Sequence, residues 1–544
     1  MSTEQSQRAD LRFGTIPGML AKRAGEAADH VAIEDGDVTL TYAQLAAKVR
    51  EASASLIAIG VARGDRVGIW APNLWEWIVS ALAVHSAGGV VVPINTRYKG
   101  PEAAFILDKS EAKALLTVTG FLDTDYVALL RDAAHALPRL RYVVQLRGPV
   151  APDATEGWSG DPPAVLDWTG FLALGAGVTD AQAAARAAEV EPDDLADILF
   201  TSGTTGEPKG AMCTHAQDLR TFGDWAHIVG LRDGDRYLVA MPFFHSFGYK
   251  AGWLAALMQG AVILPEPVFD VSRVLERIDR DRVTMLPGPP ALYQSIRMHP
   301  DKGAHDLSSL RLAVTGAAAI PVELIRQIHD ELGFETVLTA YGLTEACGVA
   351  TMCRDGDDAQ TIAQTSGRAI PDVEVRVVDP DGRALPAGEP GEIVVRGYNV
   401  MKGYFGAPEE TARAIDGEGW LHTGDVGTLD EGGYLRITDR LKDMFIVGGF
   451  NAYPAEIEHT LLRMEGIADV AVIGVPDERL GEVGMAFVVP RAGATLTPDE
   501  VIAWSRAHMA NFKVPRRVEI CDALPRNATG KVTKFTLRER AARG

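Results

Sequence analysis

Ten residues, Thr201-Ser-Gly-Thr-Thr-Gly-Glu-Pro-Lys-Gly210, gather four hydroxyls, three glycines and a lysine. Glycines let successive backbone N–H groups turn toward one anion, hydroxyls add donors, and a lysine ammonium can follow migrating negative charge. Thr201, Ser202, Gly203, Thr204, Thr205, Gly206 and Lys209 are therefore candidate ligands of a polyphosphate, and ATP is the expected ligand. A Gly-Lys-Ser/Thr phosphate loop is a different object: here Pro208 precedes Lys209, and Gly-Ala-Met-Cys-Thr-His215 continues in an extended style. With Ala196-Asp-Ile-Leu-Phe200 ahead of it, the segment predicts strand, loop, strand. A Gly/Thr stretch is commonly an ordinary turn, and it is the hydroxyl density and the lysine that argue for a ligand.

Three further clusters could complete such a site. In Leu338-Thr-Ala-Tyr-Gly-Leu-Thr-Glu345, Tyr341 can stack on a purine, Thr344 can donate to a phosphate, and Glu345 can hold a hard cation. Alone this reads first as a capped helix start; beside a phosphate loop it reads as a nucleotide and Mg²⁺ site, since Mg²⁺ pairs one or two carboxylates with substrate phosphates. In Trp420-Leu-His-Thr-Gly-Asp425 an acid after a glycine turn can chelate two ribose hydroxyls, and Asp439-Arg440 follows with a guanidinium fork. A turn acid and a surface ion pair are the ordinary readings of those two. Pro525-Arg-Asn-Ala-Thr-Gly-Lys531 offers a lysine at a glycine turn, able to neutralise an α-phosphate or simply to sit exposed.

The elements that must carry these residues alternate in the first half. Strand Arg66–Trp70, a helix from Trp75 to Ser86, strand Val90 to Ile94 and a helix after Pro101 are βαβ grammar and imply largely parallel sheets. Ala151 to Pro163 has turn composition throughout and predicts a surface excursion. Beyond about Pro371 the pattern becomes short strands with glycine turns, and after Asp439-Arg440-Leu441-Lys442-Asp443 it resets to α+β, with a helix from Ala455 and a strand at Val470 to Val475. The expected class is α/β: a large N-terminal domain over 1–439 with a β-rich part at about 371–439, then a small α+β domain over 440–544.

With 544 residues the chain is too long for one ordinary core. A formal net charge of −20 argues against a nucleic-acid partner. The charge is uneven: from Asn511 onward nine cations face three acids, so this tail is +6, either a solvated helix end or a source of positive charge for polyanionic small ligands. The first residues lack the apolar core of a signal peptide, and the apolar run Ile78 to Ile94 is interrupted by His85, Ser86 and two glycines, so a cytoplasmic location without integral membrane association is expected. The four cysteines (Cys213, Cys347, Cys353, Cys521) lack the spacing of a zinc site or a disulfide framework.

Taken together and in this order, these motifs resemble the adenylate-forming superfamily of acyl-CoA synthetases, peptide-synthetase adenylation domains and luciferases, over nearly the whole chain. The resemblance implies that Thr201 to Lys209 is the phosphate loop, that Gly316-Ala317-Ala318 and Tyr341 bracket adenine, and that Thr344 and Glu345 serve phosphate and Mg²⁺. It further implies that Asp425 holds the ribose with support from Arg440, that Lys442 is a hinge in 440–443, and that Lys531 is the adenylation lysine on a mobile lid. Gly448 and Gly449 match the stretch lining the tunnel for coenzyme A. The implied reaction joins a carboxylic acid to coenzyme A through an acyl-adenylate, with ATP, Mg²⁺ and coenzyme A as cofactor and co-substrates.

Met241-Pro-Phe-Phe-His245-Ser-Phe-Gly-Tyr-Lys-Ala-Gly252 matches the segment lining the acyl pocket, with His245 as an aromatic gate and Phe247 beside it. Lys250 is unusual in such a wall; a contact with the acid and a side chain snorkelling to solvent are both open, with solvent favoured. Ala340, Gly342 and Gly316 leave width for a ring-bearing acid, and Cys347 is placed facing it. Phe243 to Gly252, Leu286 to Tyr293, Tyr341 to Met352 and Asp439 to Pro454 are similar to actinobacterial CoA ligases of steroid catabolism, which activate the propanoate side chain of a methyl-hydrindane-dione remnant. Medium-chain or aromatic acids, and the loading of a separate carrier protein, are the alternatives; a homodimer stays open.

Overall fold

The structure is a computed structural model of the chain and describes residues 8–133, 135–202, 207–316, 320, 322–440, 444–491, 493–525 and 532–543, of which 202, 438–440, 455, 459, 535 and 543 by backbone alone. Two large sheets dominate. The first has seven strands in the order 208–214, 195–202, 90–93, 66–70, 114–117, 142–145, 164–167, parallel throughout except for the antiparallel outer pair. The second runs 38–41, 31–35, 262–265, 236–239, passes through single bridges at Met285 to 312–315 and 336–341, and ends in two short antiparallel strands, 351–352 and 368–369.

Helix Trp75–Ser86 packs against strands of both sheets and is buried from Glu76 to Ser86. That is why its sequence is apolar on nearly every face rather than along one stripe. The predicted strand Arg66–Trp70 and helix Trp75–Ser86 form as read, and the helix after Pro101 spans Gly100–Lys109.

Beyond Pro371 an antiparallel sheet of Val373–Val378, Gly391–Gly397, Leu421–Leu429 and Leu435–Arg440 forms. Asp425 lies inside the third of these strands and not in a turn after Gly424. Gly424 has a φ of +69° within the strand, so the glycine that reads as a turn instead bends a paired strand.

From Phe445 onward the buried apolar residues form a cluster of their own, built on a sheet in the order 450–452, 445–447, 481–490, 467–477, with 517–520 parallel to 481–490. Helix Pro454–Leu461 begins one residue before the expected Ala455, with proline in its first turn where the missing N–H costs nothing. The strand read at Val470 to Val475 extends over Ile467–Asp477.

Candidate functional site

Strands Leu195–Ser202 and Pro208–Thr214 pair antiparallel with Thr201 opposite Lys209, so the two described ends of the glycine-rich loop sit side by side. A third segment is sewn to them: Met212 N–H donates to the Gly403 carbonyl, Lys402 N–H to Met212, and Phe405 N–H to Gly210, while Met401 N–H donates to the carbonyl of Glu345. Gly210 must be a glycine for this packing, since a Cβ there would come within 2.5 Å of the Ile198 side chain.

These backbone bonds bring Glu345 to the loop. Its Oε1 accepts from the Thr201 hydroxyl at 3.2 Å and from the Tyr404 hydroxyl at 2.9 Å. Burial, then the charge of Glu345, pushes the Tyr404 phenol up, so it acts as a donor. Lys209 ion-pairs with Glu410, whose pKa falls through that bond, and its ammonium lies 5.4 Å from the Tyr404 ring centre. Tyr404 and Glu410 had no signal in the sequence: a tyrosine in Met-Lys-Gly-Tyr-Phe405 and one acid of Pro-Glu-Glu410 look like loop and helix-start residues until the fold closes. Carboxylate and hydroxyl oxygens are the hard donors that suit Mg²⁺, so this set fits the ion.

Tyr341 ends strand Thr336–Tyr341 and donates from its hydroxyl to Asp425 Oδ2 at 2.7 Å, joining two motifs 84 residues apart. Asp425 stands opposite Arg440 in the next strand pair. Thr344 and Glu345 occupy a single helical turn, Thr344–Ala346, after that strand. Gly342 serves its own loop as well as any pocket: a Cβ there would lie 2.0 Å from the Gly348 carbonyl oxygen. Gly316 directly follows the neighbouring strand Leu312–Thr315, with the carbonyl of Ala340 3.1 Å from where its Cβ would be.

His245 is exposed, and its Nδ1 accepts from the Phe247 N–H at 3.2 Å, which leaves the ring proton on Nε2. Solvent reaches the ring, yet the protein packed around it still disfavours charge and lowers its pKa. The segment after it, Phe247–Leu254, is π-helical, a form frequent at functional sites. This winding overturns the solvent reading of Lys250. The side chain is wholly buried, with Nζ at 2.7 Å from Asp218 and 3.0 Å from Asp197. Desolvation opposes its charge, but the two carboxylates outweigh that and hold it protonated, while burial and then Asp218 raise Asp197. Lys250 is therefore closed off from bulk solvent and lines no open wall.

Cys347 also turns from the expected pocket: it is 1% exposed, and its sulfur lies 2.9 Å from Cys213 Sγ. Cys213, Cys347 and Asp218 could together offer ligands to a metal, a proximity invisible in the spacing. Lys250 already neutralises Asp218, and the bond to Cys347, then burial, raises the Cys213 thiol away from the thiolate a metal needs.

In the small domain Gly448 and Gly449, with φ of +56° and +89°, form the two-residue turn between Phe445–Val447 and Phe450–Ala452. Both are exposed at the hairpin tip, where only glycine adopts two successive left-handed conformations freely. Tyr453, directly after this hairpin, caps helix Pro454–Leu461 and lies near Tyr404. Lys513, counted above as tail charge, is only 2% exposed and paired with Glu102 and Glu456. Gly203, Thr204, Thr205, Gly206, Ala317, Ala318, Lys442 and Lys531, and the side chains of Ser202 and Arg440, lie outside the described residues.

Two large sheets, a hairpin around a glycine- and hydroxyl-rich loop, a carboxylate beside it and a second, smaller core are the architecture of the AMP-binding enzymes that the family models describe. The chain belongs to the AMP-binding enzyme family: the family's main model matches residues 20–405, and the AMP-binding enzyme C-terminal domain matches 456–531. It is 50% identical to a 3-[(3aS,4S,7aS)-7a-methyl-1,5-dioxo-octahydro-1H-inden-4-yl]propanoyl:CoA ligase of Rhodococcus jostii (strain RHA1), covering 96% of this chain and 98% of that one. A ligase of the same name from Mycobacterium tuberculosis is 52% identical over 97% and 99% of the two chains. Among solved structures, the amide bond synthetase McbA from Marinactinospora thermotolerans superposes with a TM-score of 0.80 at 30% identity, covering 96% and 99%. Among the described residues no helix is long and apolar enough to cross a membrane.

Proposed function

We propose that the protein is an ATP-dependent carboxylic acid–CoA ligase whose acid is the methyl-dioxo-octahydroindenyl propanoate named for its two curated relatives. The observation that carries this reading is the 50% and 52% identity to those two ligases over nearly the full length of all three chains.

In this reading a carboxylate oxygen attacks the α-phosphorus of ATP, the bond to the β-phosphate oxygen breaks, and pyrophosphate leaves. The sulfur of coenzyme A then attacks the carbonyl carbon of the mixed anhydride, and AMP leaves with the electron pair of the C–O bond. The hairpin from Thr201 to Lys209 grips the departing pyrophosphate, and Asp425 with Tyr341 orients the nucleoside. Mg²⁺ held by Glu345, which Thr201 and Tyr404 aim, would neutralise phosphate charge. Lys531 stabilises the α-phosphate during the first step, and Gly448 and Gly449 admit the pantetheine thiol in the second, with the lid turning about 440–443 between the two.

The test is incubation with ATP, Mg²⁺, coenzyme A and a panel of hydrindane-ring, medium-chain and aromatic acids, with AMP and thioester followed by mass. The hydrindane propanoate is expected to show the highest kcat/KM. AMP formation with none of the acids would sink the enzymatic reading, and a preference for a medium-chain or aromatic acid would sink the substrate assignment. Lys531→Ala is expected to abolish acyl-adenylate formation while sparing thioester formation from supplied adenylate; equal loss of both would remove Lys531 from its role.

A further inference from the structure

Lys513 is the one site among the described residues where a buried cation of the small domain is held by a carboxylate of the large one. Its Nζ lies 2.7 Å from Glu102 Oε1 and 2.6 Å from Glu456 Oε1, and 4.2 Å from the centre of the Tyr98 ring. Glu102 and Tyr98 belong to the large domain, Glu456 and Lys513 to the small one. Glu102 is set in place beforehand, because its other oxygen, Oε2, accepts the Lys99 N–H at 2.8 Å and caps helix Gly100–Lys109.

The contact is coupled to the hairpin that carries the two glycines. Phe512, next to Lys513, stacks on Phe450 with ring centres 4.9 Å apart and planes 21° apart, and Phe450 directly follows Gly449. Tyr453, the residue directly after this hairpin, lies near Tyr404, the phenol that donates to Glu345. A line of contacts thus runs from Glu102 through Lys513, Phe512 and Phe450 to Gly449.

We propose that Lys513 is a positioning residue for thioester formation, latching the small domain onto Glu102 in the pose that presents Gly448 and Gly449 to the site. This rests on the ligase reading above, in which the small domain must leave one pose to adopt another. The arrangement of charges makes the latch releasable. When the small domain turns away, Lys513 keeps Glu456, its partner within the same domain, and the pair stays neutral. Glu102 returns to water still bound to its helix cap. Releasing the latch therefore strands no buried charge, whereas holding it needs all three groups.

Glu102→Gln separates the latch from the fold, since glutamine retains the helix cap but turns a donor toward Lys513. In the full-length protein, adenylate formation read as pyrophosphate release with hydroxylamine trapping is expected to stay within about twofold of wild type. Single-turnover thioester formation from preformed acyl-adenylate and coenzyme A is expected to fall about tenfold or more, the scale of a truncated buried charge pair. Lys513→Met should also impair only the second step, and the double variant should be no slower than Lys513→Met alone, because both remove one interaction. Equal loss in both half-reactions, no loss in either, or multiplying effects in the double variant would overturn the latch. Absence of adenylate in the wild-type protein would instead overturn the ligase reading.

Discussion

Lys250 and Lys513 are both buried ammonium groups held by two carboxylates, but Lys250 meets Asp197 and Asp218 inside one core, while Lys513 meets Glu102 across the boundary between two. The first joins the strand leading into the glycine-rich loop, the helix after the hairpin and the π-helical segment beyond His245. Losing any partner there leaves a charge with no route to water. The second can lose Glu102 and stay neutral through Glu456. The same three groups are a rivet in one place and a catch in the other, and the difference lies only in whether all partners belong to one rigid body.

The comparison is broken most sharply at the rivet. Lys250→Met leaves two carboxylates facing each other in the large core and should cost about 3–5 kcal/mol of stability, measured as the shift of the urea transition reported by its buried tryptophans. A loss under about 1 kcal/mol would mean that the dyad relaxes by sharing a proton, and the rivet would be no stronger than the catch.

Acid should act on the large core next. His215 is buried beside His85, and desolvation holds its pKa at about 4; that of His85 lies well below the ordinary value from the same cause, and its Nε2 is 2.8 Å from the Tyr249 hydroxyl. A depressed histidine pKa means that the unfolded chain takes up protons first. The stability involved is intact above pH of about 6.5 and drains as pH falls toward the folded value, by up to about 3 kcal/mol for His215. The measurement is the pH slope of the large core's unfolding in wild type against His215→Gln, which should be flatter below pH of about 6.5.

The smallest effect is expected on the line that carries the catch to the hairpin. Phe512→Leu removes the stack on Phe450, worth about 1 kcal/mol, and should slow thioester formation roughly fivefold with adenylation unchanged. Equal slowing of both steps would show that the ring supports the small domain's fold and not the hairpin's placement.

Much of the local structure of the candidate site is legible because its parts are local. The loop from Thr201 to Lys209, the strand ending at Tyr341 with Glu345 four residues on, and the Gly448-Gly449 turn each carry their chemistry in consecutive residues, and their strands follow from alternation and flanking glycines. In the sequence Lys250 reads as a snorkelling side chain, the common fate of one lysine in an apolar run; in the fold it sits on a π-helical segment and faces acids 32 and 53 positions back. Asp425 reads as a turn residue because a glycine before an acid usually marks one, and only strand pairing on both sides puts it within a sheet. Tyr404, Glu410 and Glu102 carried no signal, since each looks locally like a loop residue or a helix start.

By itself the sequence determined the α/β class, the strand–loop–strand around the glycine-rich loop and the resemblance that names the chemistry, because each is written in short-range spacing and composition. Only the tertiary structure decided which oxygen faces which hydroxyl at Glu345, that Tyr341 meets Asp425, and which of two buried lysines binds one body and which joins two. Those are pairings between residues scores to hundreds of positions apart, and a charge's role depends on what surrounds it after the chain has closed.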